Sequence, residues 1–198
     1  GHCMGLPDYY LYWGTDSEGM HGAAGIELMD TDASSDFGAF SKLMLGWYQS
    51  DQIAVYDNTT GIQTFTLHNA QTQNGNCVII PYGELDGQYF SEYFVIEYAS
   101  AQANNSSLPW WQTSGSGVRI YHINATLQRD YWYTYLKYQN GTEYNNDGVG
   151  IRAIRIVNDT DGDNFFHQGD VINNSVSGFG WYDSSENESI DPGVTITV

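Results

Sequence analysis

Gly1-His2-Cys3-Met4-Gly5-Leu6-Pro7-Asp8 opens the chain, and the reading of this stretch decides how the rest is understood. Its fixed letters are His-x-x-Gly-x-x-Asp. A glycine three residues after a helical His can take a positive φ, end the helix and fold the chain back. Gly5 stands at that place, and Pro7 stiffens the exit because it cannot continue a helix. Asp8 then returns a carboxylate toward the His2 imidazole from a second direction. A nitrogen and a carboxylate oxygen converging in this way suit a zinc site of the three-ligand type. In the motif H-E-x-x-H, two His one helical turn apart share the metal. His2 fits the second of that pair, which places the first His and the Glu ahead of residue 1. Gly1 fits an H-E-x-G-H variant and equally fits a tag remnant. A surface His followed by a helix-ending turn uses the same letters, so the context has to decide.

About twenty residues after Asp8 comes Glu27-Leu28-Met29-Asp30, and then Ala39-Phe40-Ser41-Lys42-Leu43-Met44-Leu45-Gly46-Trp47. Later stretches are Tyr93-Phe94-Val95-Ile96-Glu97-Tyr98 and Gly117-Val118-Arg119-Ile120-Tyr121-His122-Ile123. Taken in order, these segments resemble the immune inhibitor A family of secreted bacterial zinc metallopeptidases. That family reads roughly H-E-x-G-H-x-L-G-L-P-D-x-Y, D-L-M, S-K-x-x-L-G-W, Y-F-L-I-E-Y/N-R and G-L-L-I-Y-H-V-D. The zinc motif followed by a Met-turn is the metzincin arrangement. The resemblance spans most of residues 1–125 and, more loosely, residues 169–198.

The resemblance implies that His2 and Asp8 are zinc ligands and that Met29 is the Met-turn methionine beneath the metal. It implies a secreted, bacterial endopeptidase whose substrates are extracellular proteins or peptides. Zinc would polarise the scissile carbonyl and lower the pKa of bound water. The general-base Glu would lie upstream, so this sequence holds no catalytic residue of that set. A competing reading makes the C-terminal region a non-catalytic binding module for a glycan or protein, with a degenerate or truncated protease site. The codons preceding residue 1 discriminate the two.

Bulk properties narrow the partners. The 198 residues carry 6 Lys plus Arg against 24 Asp plus Glu, a formal charge of −18. Clustered cations for a phosphate backbone are lacking, so nucleic acid is not expected as a partner. An anionic membrane surface would repel the chain, and no apolar run reaches the length of a membrane span. The two Cys do not make a disulfide framework, and both read as buried free thiols. Cys3, adjacent to His2, points off the ligand face.

Residues 9–36 show no sustained periodicity and read as a long loop that carries the Met-turn. Asp16, Glu18, Asp30, Asp32 and Asp36 make it acidic, either a solvated loop or a calcium site. His21 reads as a surface residue. Residues 37–47 predict a helix with Phe37, Phe40, Leu43, Met44 and Trp47 on one face. Ser35 or Asp36 is its expected N-cap, and Gly46 stands near its stop.

Beyond Trp47 the pattern becomes short apolar runs at 62–67, 77–81, 89–98, 118–123, 151–157 and 194–198, separated by Asn/Asp/Gly turns. The expected fold is α+β. Residues 1–50 would form the lower half of a metzincin-like catalytic domain (zinc-helix tail, Met-turn, closing helix). Residues 51–198 would form a mostly antiparallel β-sandwich.

Two features of the second region bear on function. Asp159, Asp161, Asp163 and Asp170 fall at positions one, three, five and twelve of a candidate calcium loop. The glycine is at position four, not six, and a polar hairpin loop is the alternative. The aromatics Trp110, Trp111, Tyr131, Trp132, Tyr133 and Tyr135 read mainly as packing, with a sugar- or peptide-binding platform as the other reading. His122 reads as a structural His with its hydrogen bonds satisfied.

Overall fold

The apolar runs of the second region become strands because each can bury both of its faces. A computed structural model describes residues 1–9, 27–30, 36–85, 87–107, 115–129, 131–132, 134–138, 153–158, 165–185 and 187–198. Three long strands, β2 (Cys77–Pro81), β3 (Glu92–Ser100) and β4 (Ser116–Arg129), pair antiparallel at the centre of a six-stranded sheet. On one edge, β1 (Ile53–Val55) pairs parallel with β2. The far end of β4 pairs with β5 (Thr134–Tyr138), and its middle pairs with β6 (Ile154–Ile156). The described chain is thus mostly sheet, with a single short α-helix.

Side chains alternate across a strand, and here both faces are covered. Cys77, Ile79, Tyr93, Val95, Tyr121 and Ile123 face Leu6, Tyr9, Met29, Phe37, Phe40 and Leu43 of the N-terminal segment. One core cluster therefore draws on residues before and after position 50. Val78, Ile80, Phe94, Ile96 and Ile120 face the opposite way, onto Phe166, Ile172, Phe179 and Trp181. That second cover is held by two small antiparallel pairs. One joins β7 (Val171–Ile172) to β10 (Ile196–Thr197), the other β8 (Trp181–Tyr182) to β9 (Glu188–Ile190).

The helix α1 (Ala39–Met44) is shorter than the sequence predicts. Its end is fixed by Gly46, at φ 64°. Gly46 N–H donates to Leu43 O at 3.0 Å and Trp47 N–H to Lys42 O at 2.9 Å, the bond pattern of a Schellman stop. Phe37 and Trp47 therefore flank the helix, their rings edge to face at 5.3 Å. The expected cap is also corrected. Gly38 is the N-cap and makes no side-chain bond, while Asp36 pairs with Lys42 Nζ at 2.8 Å.

Other expectations change as well. Residues 62–67 form no strand, and Ile62 is fully exposed. The backbone of that segment bonds to a side chain instead: His68 N–H donates to Asn76 Oδ1 at 2.6 Å and Asn76 Nδ2 to Thr66 O at 2.8 Å. Cys3 is exposed, not buried, whereas Cys77 is buried. Tyr131 and Trp132 are not packed inside; they are 84% and 80% exposed between β4 and β5. Trp110, Trp111 and Tyr133 lie outside the described residues.

Candidate metal centre

The first eight residues fold back on themselves as their spacing requires. His2–Met4 form a single 3-10 turn. Gly5 follows at φ 90° and donates its N–H to His2 O at 2.9 Å. A left-handed residue at this point is cheap only for glycine. The reversal lets His2 Nδ1 reach Leu6 O at 3.0 Å and His2 Nε2 reach Asp8 Oδ1 at 3.0 Å. Leu6 is buried and anchors the turn, while the His2 ring is largely open to solvent.

These distances constrain the chemistry. A carbonyl oxygen only accepts, so Nδ1 carries a proton and donates to Leu6. Nε2 then faces a carboxylate oxygen with its lone pair unless a cation lies between them. That cation is either a second proton or a metal. Two ligands of one tetrahedral zinc, each at about 2.0–2.1 Å, sit about 3.3 Å apart, close to the observed separation. Donation of the non-ligating ring N–H to a backbone carbonyl is also the usual outer-shell arrangement of a metal-bound His. The residues present fit half of a zinc site.

Met29 lies directly against the start of the chain. A Cβ built on Gly1 would fall 1.8 Å from Met29 Sδ. Met29 is buried, and its carbonyl accepts the Tyr9 N–H at 2.9 Å. Tyr9, next to Asp8, is thereby pinned to the Met29 turn.

Glu27 is the group that sequence reasoning missed. Its side chain is buried and gathers three donors from separate parts of the chain. Glu27 Oε2 accepts Met29 N–H at 2.6 Å. Glu27 Oε1 accepts Gly38 N–H at 3.2 Å and the Ser41 hydroxyl at 2.5 Å. One carboxyl thus holds the Met29 turn and caps α1 from outside the helix. Burial pushes its pKa up to about 7, against the lowering effect of these bonds and with a further push from Glu97. Ser41 also bonds the Tyr9 hydroxyl at 2.9 Å, which ties Asp8's neighbour into the same network.

The other predicted site residues are less gathered. Asp159, Asp161 and Asp163 lie outside the described residues, as do Asp16, Glu18, His21 and Asp32. Asp170 is exposed, and its Oδ2 accepts the His167 N–H at 2.7 Å. Among the described residues, no group of three or more His, Cys, Asp or Glu is placed to hold a metal, and no helix is long and apolar enough to cross a membrane.

No family model, no curated protein and no solved structure matches the chain.

Proposed function

We propose that this chain supplies the closing half of the zinc site of a secreted endopeptidase that hydrolyses peptide bonds of extracellular proteins. Residues 1–50 would be the C-terminal portion of a metzincin-like catalytic domain, and residues 51–198 a β-sandwich behind it. The observation that carries the reading is the 3.0 Å approach of His2 Nε2 to Asp8 Oδ1, with Nδ1 committed to Leu6 O.

Each residue then has a definite task. His2 and Asp8 would hold the metal, the Leu6 carbonyl fixes the His2 tautomer, and Gly5 makes the reversal that brings Asp8 round. Met29, packed against Gly1, would form the apolar floor of the site, and Glu27 would hold that floor in place. When bound, zinc supplies Lewis-acid polarisation of a peptide carbonyl and a lowered water pKa. The proton would be moved by a Glu that the H-E-x-x-H pattern sets ahead of His2.

Zinc content and casein cleavage of the full-length natural protein test this, beside its His2→Ala and Asp8→Ala variants. The expected result is about one zinc per chain with cleavage, and loss of both in each variant. Equal cleavage by the wild type and His2→Ala would sink the proposal. A calcium ion at Asp159, Asp161, Asp163 and Asp170 belongs to the same reading on ligand spacing. Calcium content after gel filtration in mild chelator tests it, with none retained as the contrary result.

The exposure of Tyr131 and Trp132, whose rings meet edge to face at 4.9 Å, favours a second reading. In it the β region is a binding module for a glycan or protein. Tyr131→Ala/Trp132→Ala would then abolish retention on a glycan or protein array without changing zinc content.

A further inference from the structure

Strand β4 carries a second histidine that the zinc site does not use. His122 is buried between the sheet and the β8–β9 pair. Its Nε2 lies 3.0 Å from Glu92 Oε1 on β3, and its Nδ1 lies 3.1 Å from Glu188 Oε1 on β9. Ionised carboxylate oxygens only accept, so both bonds are made only when both ring nitrogens carry protons. Glu188 Oε2 in turn accepts from Arg155 Nη1 on β6, and Arg155 Nη2 reaches Ser177 Oγ at 3.2 Å. Glu92 Oε1 also accepts the Tyr182 N–H of β8 at 2.8 Å.

The register explains the gathering. Phe94, His122 and Arg155 stand side by side across β3, β4 and β6. The cover lies on that row: the Tyr182 ring stacks on the imidazole at 4.7 Å, and Trp181 sits 4.3 Å from Phe94. The titratable or charged groups facing His122 are therefore Glu92, Arg155, Tyr182 and Glu188. With His122 protonated and both carboxylates ionised, two positive charges meet two negative ones. Without that proton the cluster is left with one excess negative charge, and one carboxylate faces a ring lone pair.

We propose that the Glu92–His122–Glu188 bridge is a pH-sensitive latch that clamps the β8–β9 pair over the sheet and loosens it when His122 loses its proton. Burial by itself would lower the His122 pKa, but the bonds and charges of Glu188 and Glu92 raise it above its ordinary value. Despite its own burial, Glu188 is held below the ordinary carboxylate range by His122 and Arg155. A histidine whose folded pKa is raised stabilises fully below its unfolded value of about 6.5, and that contribution is lost as pH rises through the folded value. The latch is thus closed in acid and slackens in alkali. Opening would uncover Phe94 and Phe179, which stack at 4.5 Å beneath it.

Hydrogen exchange of the intact chain tests the proposal, read as protection factors at pH 5.5 and pH 9. Residues 181–185 and 187–190 should lose more protection than residues 94–97 over this range, by about a factor of ten for each unit by which the folded His122 pKa exceeds the unfolded one. Glu188→Gln removes the charge that the proton balances, so the excess loss should vanish in that variant. In the wild type, the His122 ring proton resonance should titrate above the ordinary imidazole value of about 6.5. An equal loss in both segments would overturn the latch. So would an excess that persists in Glu188→Gln, or a His122 midpoint at or below about 6.5.

Discussion

Replacing Glu27 by Gln should flatten part of the pH dependence of stability. Glu27 is buried, and its pKa rises from an unfolded value of 4.5 to about 7. A carboxyl whose folded pKa is raised favours the folded state when it is protonated. Its contribution is complete below pH 4.5 and is lost as pH rises through 7. The difference of about 2.5 units corresponds to about 3 kcal/mol. For a chain of this size each kcal/mol moves the midpoint by roughly 2–4 °C, so the effect is on the order of 10 °C.

Gln cannot ionise, and the difference between wild-type and variant curves isolates this one group; the His122 contribution cancels. The variant will itself be less stable at pH 4, by roughly 1–3 kcal/mol. Its amide NH2 must replace one acceptor oxygen facing either Met29 N–H or the Gly38 N–H and Ser41 hydroxyl. Urea denaturation followed by far-ultraviolet circular dichroism at half-unit steps from pH 4 to 8.5 measures both quantities. Parallel curves for the two proteins between pH 5 and 8 would refute a protonated Glu27 beneath the Met29 turn.

Two further outcomes follow from burial. Phe94→Ala removes a ring packed against Phe179, Trp181 and His122 and should cost about 3–5 kcal/mol, measured by the same denaturation. A loss below about 1 kcal/mol would mean that the second cover does not close on the sheet. Cys3 is exposed, whereas Cys77 is buried with its thiol pushed up to about 12 by burial and by Glu97. A chromogenic disulfide reagent at pH 8 should therefore titrate one thiol in the native protein and both in guanidinium; two fast thiols in the native state would contradict the burial of Cys77.

The parts of the fold that the sequence announced are those in which the signal is local and long. The runs around Ile79, Phe94 and Ile120 are near-continuously apolar, as strands covered on both faces must be. The His2-to-Asp8 reversal was also legible, because one left-handed glycine sets it and all its parts lie within a few residues. Strands of two or three residues, such as β7, β8 and β10, have no period to read and exist by virtue of their pairing. Glu27 was hidden for the same reason: its three donors stand at residues 29, 38 and 41, and only the folded chain brings them to one carboxyl. Trp132 misled because an aromatic in a β-rich region is usually packed, and nothing in its immediate neighbours marks a hairpin tip. The helix cap misled because Asp36 is taken up by Lys42, whose amine is also bonded to Ala70 O at 2.6 Å.

The covering of the sheet from both sides has a consequence for how the chain is made. The partners of Phe94, Ile96 and Ile120 on the second face come largely from residues 165–198, including Val194, Ile196 and Val198. The N-terminal cover precedes the sheet in the chain and the second cover follows it. About seventy residues separate the end of β4 from Val198, which at 5–20 residues per second amounts to roughly 3–14 s of synthesis. Throughout that interval a ribosome-bound chain presents the apolar face of β2–β4 with its second cover incomplete. The nascent chain is then most exposed to aggregation and most in need of a holding chaperone, and a pause between β4 and β7 would lengthen that interval.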